Sequence, residues 1–186
     1  MNLSKTTAVA AFILGVGVVT IFSQSCKKSS SSAPQTLYDS LGGTTMVSDP
    51  ANPGTNVEKG YLGIRTIVDS AVFIIAADTQ INKYFTVLLA EVTSGNFSGY
   101  QKLSTNLTTF LAVATGAKDY TYGGRSMSAA HNPSTNPRIS ETVDSADFNE
   151  FIVDVAKSAT NNGLPSNLLS SVGTLMYTVE GQVVQR

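Results

Sequence analysis

The chain has no tryptophan, one cysteine and one histidine. A single cysteine excludes an internal disulfide in an exported product. The lone histidine, His131, leaves a structural zinc site without its usual three or four imidazole and thiolate donors. A His-based catalytic triad would also lack its nucleophile elbow, because no G-x-S-x-G segment is present. Charge is scarce and balanced, with 12 Lys and Arg against 13 Asp and Glu and a net charge of −1. No basic cluster with interleaved aromatics occurs, so there is no nucleic-acid footprint. Nor does any internal repeat or second domain show in the pattern.

The N-terminus is built for export. Lys5 precedes the apolar run over residues 8–21, which is too short to span a bilayer comfortably, and Ser23, Gln24, Ser25 and Cys26 follow. That order predicts a secretory signal over residues 1–25. The segment resembles the signals of bacterial lipoproteins, including the Ser-Gln-Ser-Cys boxes of the Bacteroidetes group, although Ser23 stands where those signals usually carry leucine. The resemblance implies lipidation of Cys26 and an exported, membrane-anchored protein on the periplasmic or cell-surface side. Residues 26–36 then form a flexible tether, since KKSSSSAPQ has almost nothing to bury. Lys27 and Lys28 add a secondary attraction to anionic headgroups. The remainder, 37–186, suits one compact domain.

Four stretches of that domain carry a helical period. Ile67, Val68, Ala71, Val72 and Ile75 recur every three or four residues, as do Leu103, Leu107, Phe110, Leu111 and Ala114. Phe148, Phe151, Ile152 and Val155 mark a third helix, and Leu168 to Val179 a fourth. Breakers separate them: Gly42-Gly43, Gly95 to Gly99, Gly116, Gly123-Gly124, and Asn161-Asn162-Gly163. Ser140 and Asp144 are candidate caps, and Pro165 fits the first turn of the last helix. Residues 44–60, with Pro50, Pro53 and Gly54, predict an inserted loop, and residues 86–100 a long connection. Four apolar faces that must bury against one another predict an all-α fold.

His131 is the one ligand-grade nitrogen. Taken alone, a single histidine near a helix end reads first as a surface residue or a C-cap. One axial imidazole is nevertheless enough to hold haem iron when a large flat ring is buried beside it.

Several segments, in order, resemble the truncated haemoglobins, particularly their first group. They are LYDSLGG, IVDSAVFIIAADTQINKYF, TTFLAVATG, YTYGGRSMSAAH and FNEFIVDVAKSATNNGLPSNLLSSV, spanning roughly residues 37–182. The resemblance implies a globin-like two-over-two helical sandwich with inserted loops, haem b as cofactor, and His131 as the iron ligand. It further implies that Phe85 packs on the porphyrin edge and that Met127 covers the proximal side. Phe110, Leu103 and Leu107 fall on the distal helix, and Tyr120 falls near the haem entrance. Arg125 is the candidate partner of a propionate. Val72 falls where the family often carries a tyrosine that bonds the ligand, and Leu107 replaces a frequent polar residue.

Val and Leu donate no hydrogen bond, so dioxygen would lose stabilisation of its partial negative charge. Asn106 and Tyr100 are the nearby polar candidates. The expectation is therefore a tethered haemoprotein that reversibly binds dioxygen or another diatomic gas. Two alternatives stand beside it. One is a nitric-oxide dioxygenase or peroxidase-like globin with an unidentified redox partner. The other is a haem-free surface domain that keeps the globin scaffold and binds a partner or a small apolar molecule.

Overall fold

Each of the four helical stretches becomes one long helix in the computed structural model, which describes residues 34–186. The expected signal over 1–25, the lipidated Cys26 and most of the tether lie outside the described residues. Thr36 opens the domain: its hydroxyl accepts the Asp39 N–H at 3.0 Å, and Asp39 in turn accepts the Thr36 N–H at 2.8 Å. This reciprocal box caps α1 (Leu37–Ser40).

The expected loop at 44–60 is instead an antiparallel hairpin, β1 (Met46–Ser48) and β2 (Asn56–Glu58), with Val47 paired to Val57. Its closing turn is organised by Asp49, which accepts the Ala51 N–H and the Asn52 Nδ2 at 2.9 Å each. Arg65 donates to both oxygens of the same carboxylate at 2.5 and 3.1 Å, and so ties the hairpin to the next helix. A turn-rich stretch reads as a loop until that distant arginine is known.

That next helix, α2 (Lys59–Ala77), is central. By length and composition it passes for a membrane span, with a mean hydropathy of 1.5. Its Ile64, Val68, Ala71 and Ile75 are spent on the core instead, each almost fully buried. A 3-10 turn, Asn82–Phe85, leads into α3 (Thr86–Thr93), so the expected long connection is helical over half its length. Its apolar residues are too few to declare a period on their own.

The helices α4 (Ser98–Thr115), α5 (Met127–His131) and α6 (Ser145–Asn161) follow. Asp144 caps α6 as expected, accepting the Asp147 N–H at 2.9 Å. Gly163 stops it at a φ of +77°, a conformation only glycine adopts freely. Pro165 stands immediately before α7 (Ser166–Tyr177) rather than inside it. The last expected helix breaks at Thr178, leaving α8 (Glu180–Val183) as a separate turn.

Packing gives two layers. α2 lies against α4 in one layer and against α6 in the other, where α6 pairs with α7. The core runs through Tyr38, Ile64, Val68, Ile75, Leu111, Phe148, Val155 and Met176. A parallel bridge between Val143 and Val184 brings the C-terminal arm back beside the start of α6. The all-α, two-over-two expectation holds, with the hairpin as its one β addition among the described residues.

Candidate haem site

α5 is one turn and a half long, too short to persist alone. Its ends are held from outside. Ser126 caps it by accepting the Ala129 N–H at 3.3 Å. Thr135 Oγ1 donates to the Ala129 carbonyl at 2.8 Å and Asn136 Nδ2 to the Ala130 carbonyl at 2.6 Å. Arg125 donates to the carbonyl of Thr135, drawing the two flanks of α5 together. In this structure the Arg125 guanidinium is therefore engaged with backbone.

This scaffold fixes one imidazole. His131 is half-buried, and its Nδ1 lies 2.8 Å from the Met127 carbonyl oxygen, one turn earlier. A carbonyl only accepts, so Nδ1 must carry the proton and Nε2 the free lone pair. Burial lowers the pKa of His131 below its ordinary value, and the bond to Met127 offsets this only in part. Nε2 has no hydrogen-bond partner among the described residues. The result is a neutral, oriented imidazole presenting an unshared pair, the state an iron ligand requires.

The expected apolar residues are present but not closed over. Phe85, Leu107, Phe110 and Met127 are half-buried and packed against the core, and Leu103 and Val72 are half-buried beyond it. In a sealed core, side chains this large would be fully covered. α5 packs chiefly on α8 and has no comparable packing on α4, the helix of Leu103, Leu107 and Phe110. Large apolar residues left half-covered suit contact with a flat apolar ring.

Tyr120 stacks on Tyr61 with ring centroids 4.3 Å apart, near the Tyr38–Glu58 hydrogen bond of 2.6 Å. The tyrosine that meets Phe110 is Tyr122, edge-on at 5.5 Å. YTYGG offers two tyrosines, and the sequence alone does not say which turns toward α4. Tyr100 sits against Phe73 at 6.3 Å and beside Asp69, and burial with that carboxylate pushes its pKa up to about 12. Asp69 also accepts Ser104 Oγ at 2.5 Å, a clasp between α2 and α4 that sequence spacing does not announce.

A separate apolar cavity of about 70 Å³ lies among α2, α6 and α7, lined chiefly by Ile64, Ile152, Val155, Leu169 and Met176. It holds neither His131 nor any of the expected site residues, and it is too small for a porphyrin. It is a gap in packing between the two layers.

The fold is that of truncated, two-over-two globins. The domain is similar to a truncated hemoglobin from Tetrahymena pyriformis, seen as a single-site variant in the Fe(III) form. That match has a TM-score of 0.58 and 15% identity over 82% of this chain and 100% of the other. It is also similar to the 2/2 hemoglobin from Synechococcus sp. PCC 7002, in the cyanomet state with covalently attached heme. There the TM-score is 0.56 and the identity 19%, over 81% of this chain and 99% of the other. No family model matches the chain, and no curated protein does.

Proposed function

We propose that the domain holds haem b through Nε2 of His131 and binds a diatomic gas reversibly. The observation that carries this reading is the His131–Met127 contact of 2.8 Å, which leaves Nε2 unprotonated and without a protein partner. When bound, haem supplies ferrous iron with a position open to a gas ligand. The chain's own residues do the rest. Met127 and the loop behind α5 hold the imidazole in its ligating tautomer. Phe85 and Phe110 offer aromatic area to a flat ring, and Leu103, Leu107 and Val72 line the opposite side with carbon. These three place no donor there, which disfavours the turnover chemistry of a nitric-oxide dioxygenase or peroxidase and suits simple association and release.

The resemblance to the first group of truncated haemoglobins, and export with a lipid on Cys26, belong to the same proposal. The anchor rests on the apolar run over 8–21 followed by Ser-Gln-Ser-Cys. Metabolic labelling with a palmitate analogue, lost in Cys26→Ser, is the expected result for it.

The test of haem binding is an absorption spectrum of the purified chain titrated with haem, followed by reduction and carbon monoxide. The expected result is a saturating 1:1 Soret band that shifts with carbon monoxide and collapses in His131→Ala. A spectrum unchanged by that substitution, or no binding at micromolar haem, overturns the reading.

A further inference from the structure

Four carboxylates are almost fully buried among the described residues: Asp49, Glu58, Asp147 and Asp154. Three of them are satisfied. Asp49 is clamped by Arg65, Glu58 accepts from Tyr38, and Asp147 is bonded by Tyr84 and Arg186. Asp154 is the exception. It is 4% exposed, its Oδ2 has no hydrogen-bond partner, and it forms no ion pair among the described residues.

What faces Asp154 is more negative charge. Glu150 lies one turn earlier on the same side of α6, and Asp78 is the residue that ends α2. One carboxylate oxygen from each of the three lies within 4.8 Å of the others. Asp78 is held there: its backbone N–H bonds the Ile74 and Ile75 carbonyls, and its Oδ1 accepts the Gln80 N–H at 2.7 Å. Burial, then Asp78 and Glu150, push the Asp154 carboxyl above its ordinary range, with Lys157 a weaker opposing influence. A fold that pairs its other buried acids has left this one aimed at two more.

We propose that Asp78, Glu150 and Asp154 form a binding site for a hard divalent cation, calcium foremost, joining the end of α2 to α6. The donor set is oxygen alone, with no imidazole or thiolate, which selects hard cations over zinc or copper. Calcium takes several oxygens at about 2.3–2.6 Å in a flexible shell that accommodates a number of carboxylates. Magnesium demands a stricter octahedron, dehydrates reluctantly and is usually held by only one or two carboxylates. Three carboxylates whose oxygens all lie within 4.8 Å of one another therefore favour calcium, with water completing its shell. The site is independent of the haem reading, since it lies at the junction of α2 and α6 and uses no residue of α4 or α5.

The test is calorimetric titration of calcium chloride into the full chain at neutral pH, paired with thermal melts. The expected result is saturable 1:1 binding, with a melting midpoint that rises with calcium and responds less to equal magnesium. Glu150→Gln, at a half-exposed position, weakens binding at least about tenfold, in keeping with loss of one ligand charge. Asp154→Asn abolishes binding and, without calcium, melts at or above the parent because the buried repulsion is gone. Should Asp154→Asn fail to fold, Glu150→Gln alone decides. Absence of heat and of any midpoint shift at millimolar calcium overturns the proposal, as does undiminished binding by Glu150→Gln. Equal binding of magnesium overturns the assignment to calcium.

Discussion

Gln185 donates from its Nε2 to the carbonyl of Ser128 at 3.1 Å, so the C-terminal arm holds the short helix that carries His131. The arm is itself fastened: Gln185 N–H donates to the Val143 carbonyl at 2.9 Å, and Arg186 reaches Asp147 at 2.8 Å. A helix as short as α5 owes its position to such contacts more than to its own turns. Groups that orient a metal ligand typically govern affinity by one to two powers of ten. Removal of residues 184–186 is therefore expected to speed haem loss about tenfold. Transfer of haem to an excess of a scavenging apoprotein reads this rate directly. An unchanged rate in the truncated chain would show that the arm does not position His131.

Acid sensitivity follows from the same imidazole. The folded protein holds the His131 pKa below its unfolded value near 6.5, because burial penalises the charged ring. In the window below about 6.5, unfolded chains bind the proton more readily than folded ones. Stability in the haem-free chain is thus fully present above that value and falls as pH drops through the window toward the folded pKa. Asp39, Glu91 and Asp147, all lowered by their partners, lose stability only in the lower carboxylate range. Asp154, raised, works in the opposite direction as it takes up its proton. Urea midpoints measured from pH 8 to pH 5 should fall for the parent and flatten in His131→Gln. Equal slopes in the two proteins would remove His131 as the cause.

The long helices were legible because each must bury one face, and that need writes a period into the chain. Val68, Ala71 and Ile75 are a plain case, and so is the Asn161-Gly163 stop. The hairpin at 46–58 was not, because its stability depends on Arg65, a helix residue that completes Asp49 across 16 positions. α3 carries too few buried residues to show a face, Leu88 being the one that is fully covered. His131 was legible as a candidate since no other imidazole competes for the role. The acidic site was not, because Asp78 lies 76 positions from Asp154 and only the α2–α6 packing unites them. Sequence spacing reports faces of single elements; pairings between elements need the fold.

Gly60 illustrates how one contact reverses a general preference. In an open helix, glycine to alanine stabilises by up to about 1 kcal/mol through backbone entropy. A Cβ at Gly60 would stand 2.9 Å from the Tyr38 ring and 3.0 Å from the Gly43 nitrogen. Tyr38 is buried and bonded to Glu58 at 2.6 Å, so its ring has little freedom to move away. Gly60→Ala should therefore destabilise by about 1–3 kcal/mol, the usual range for overpacking. Gly173 in α7 meets nothing within 4 Å, and Gly173→Ala should raise stability by about 0.5–1 kcal/mol. Denaturant unfolding of the two variants checks both signs in one experiment. Stabilisation by Gly60→Ala would mean that α1 and α2 separate more easily than their contacts imply.

On the proposed haem reading, a carbon-lined distal side carries a quantitative prediction for gas release. Leu107 is half-buried on α4, within one turn of both Leu103 and Phe110, and carries no donor. A hydrogen bond to a partly charged acceptor in a dry site contributes about 1.5–3 kcal/mol. Since about 1.4 kcal/mol is a factor of ten, supplying one donor should slow dioxygen release about ten- to a hundredfold. Leu107→Gln supplies it with little change in length. Carbon monoxide draws far less negative charge onto its outer atom, so its release should change by much less. Val113→Gln, on an exposed part of the same helix, controls for the substitution itself. Stopped-flow replacement of dioxygen by carbon monoxide, and of carbon monoxide by nitric oxide, gives both release rates in the parent and the two variants once loaded with haem. If Leu107→Gln slows both gases equally, the glutamine acts by blocking exit, and the distal role assigned to Leu107 is steric. If it slows neither, Leu107 does not face the gas.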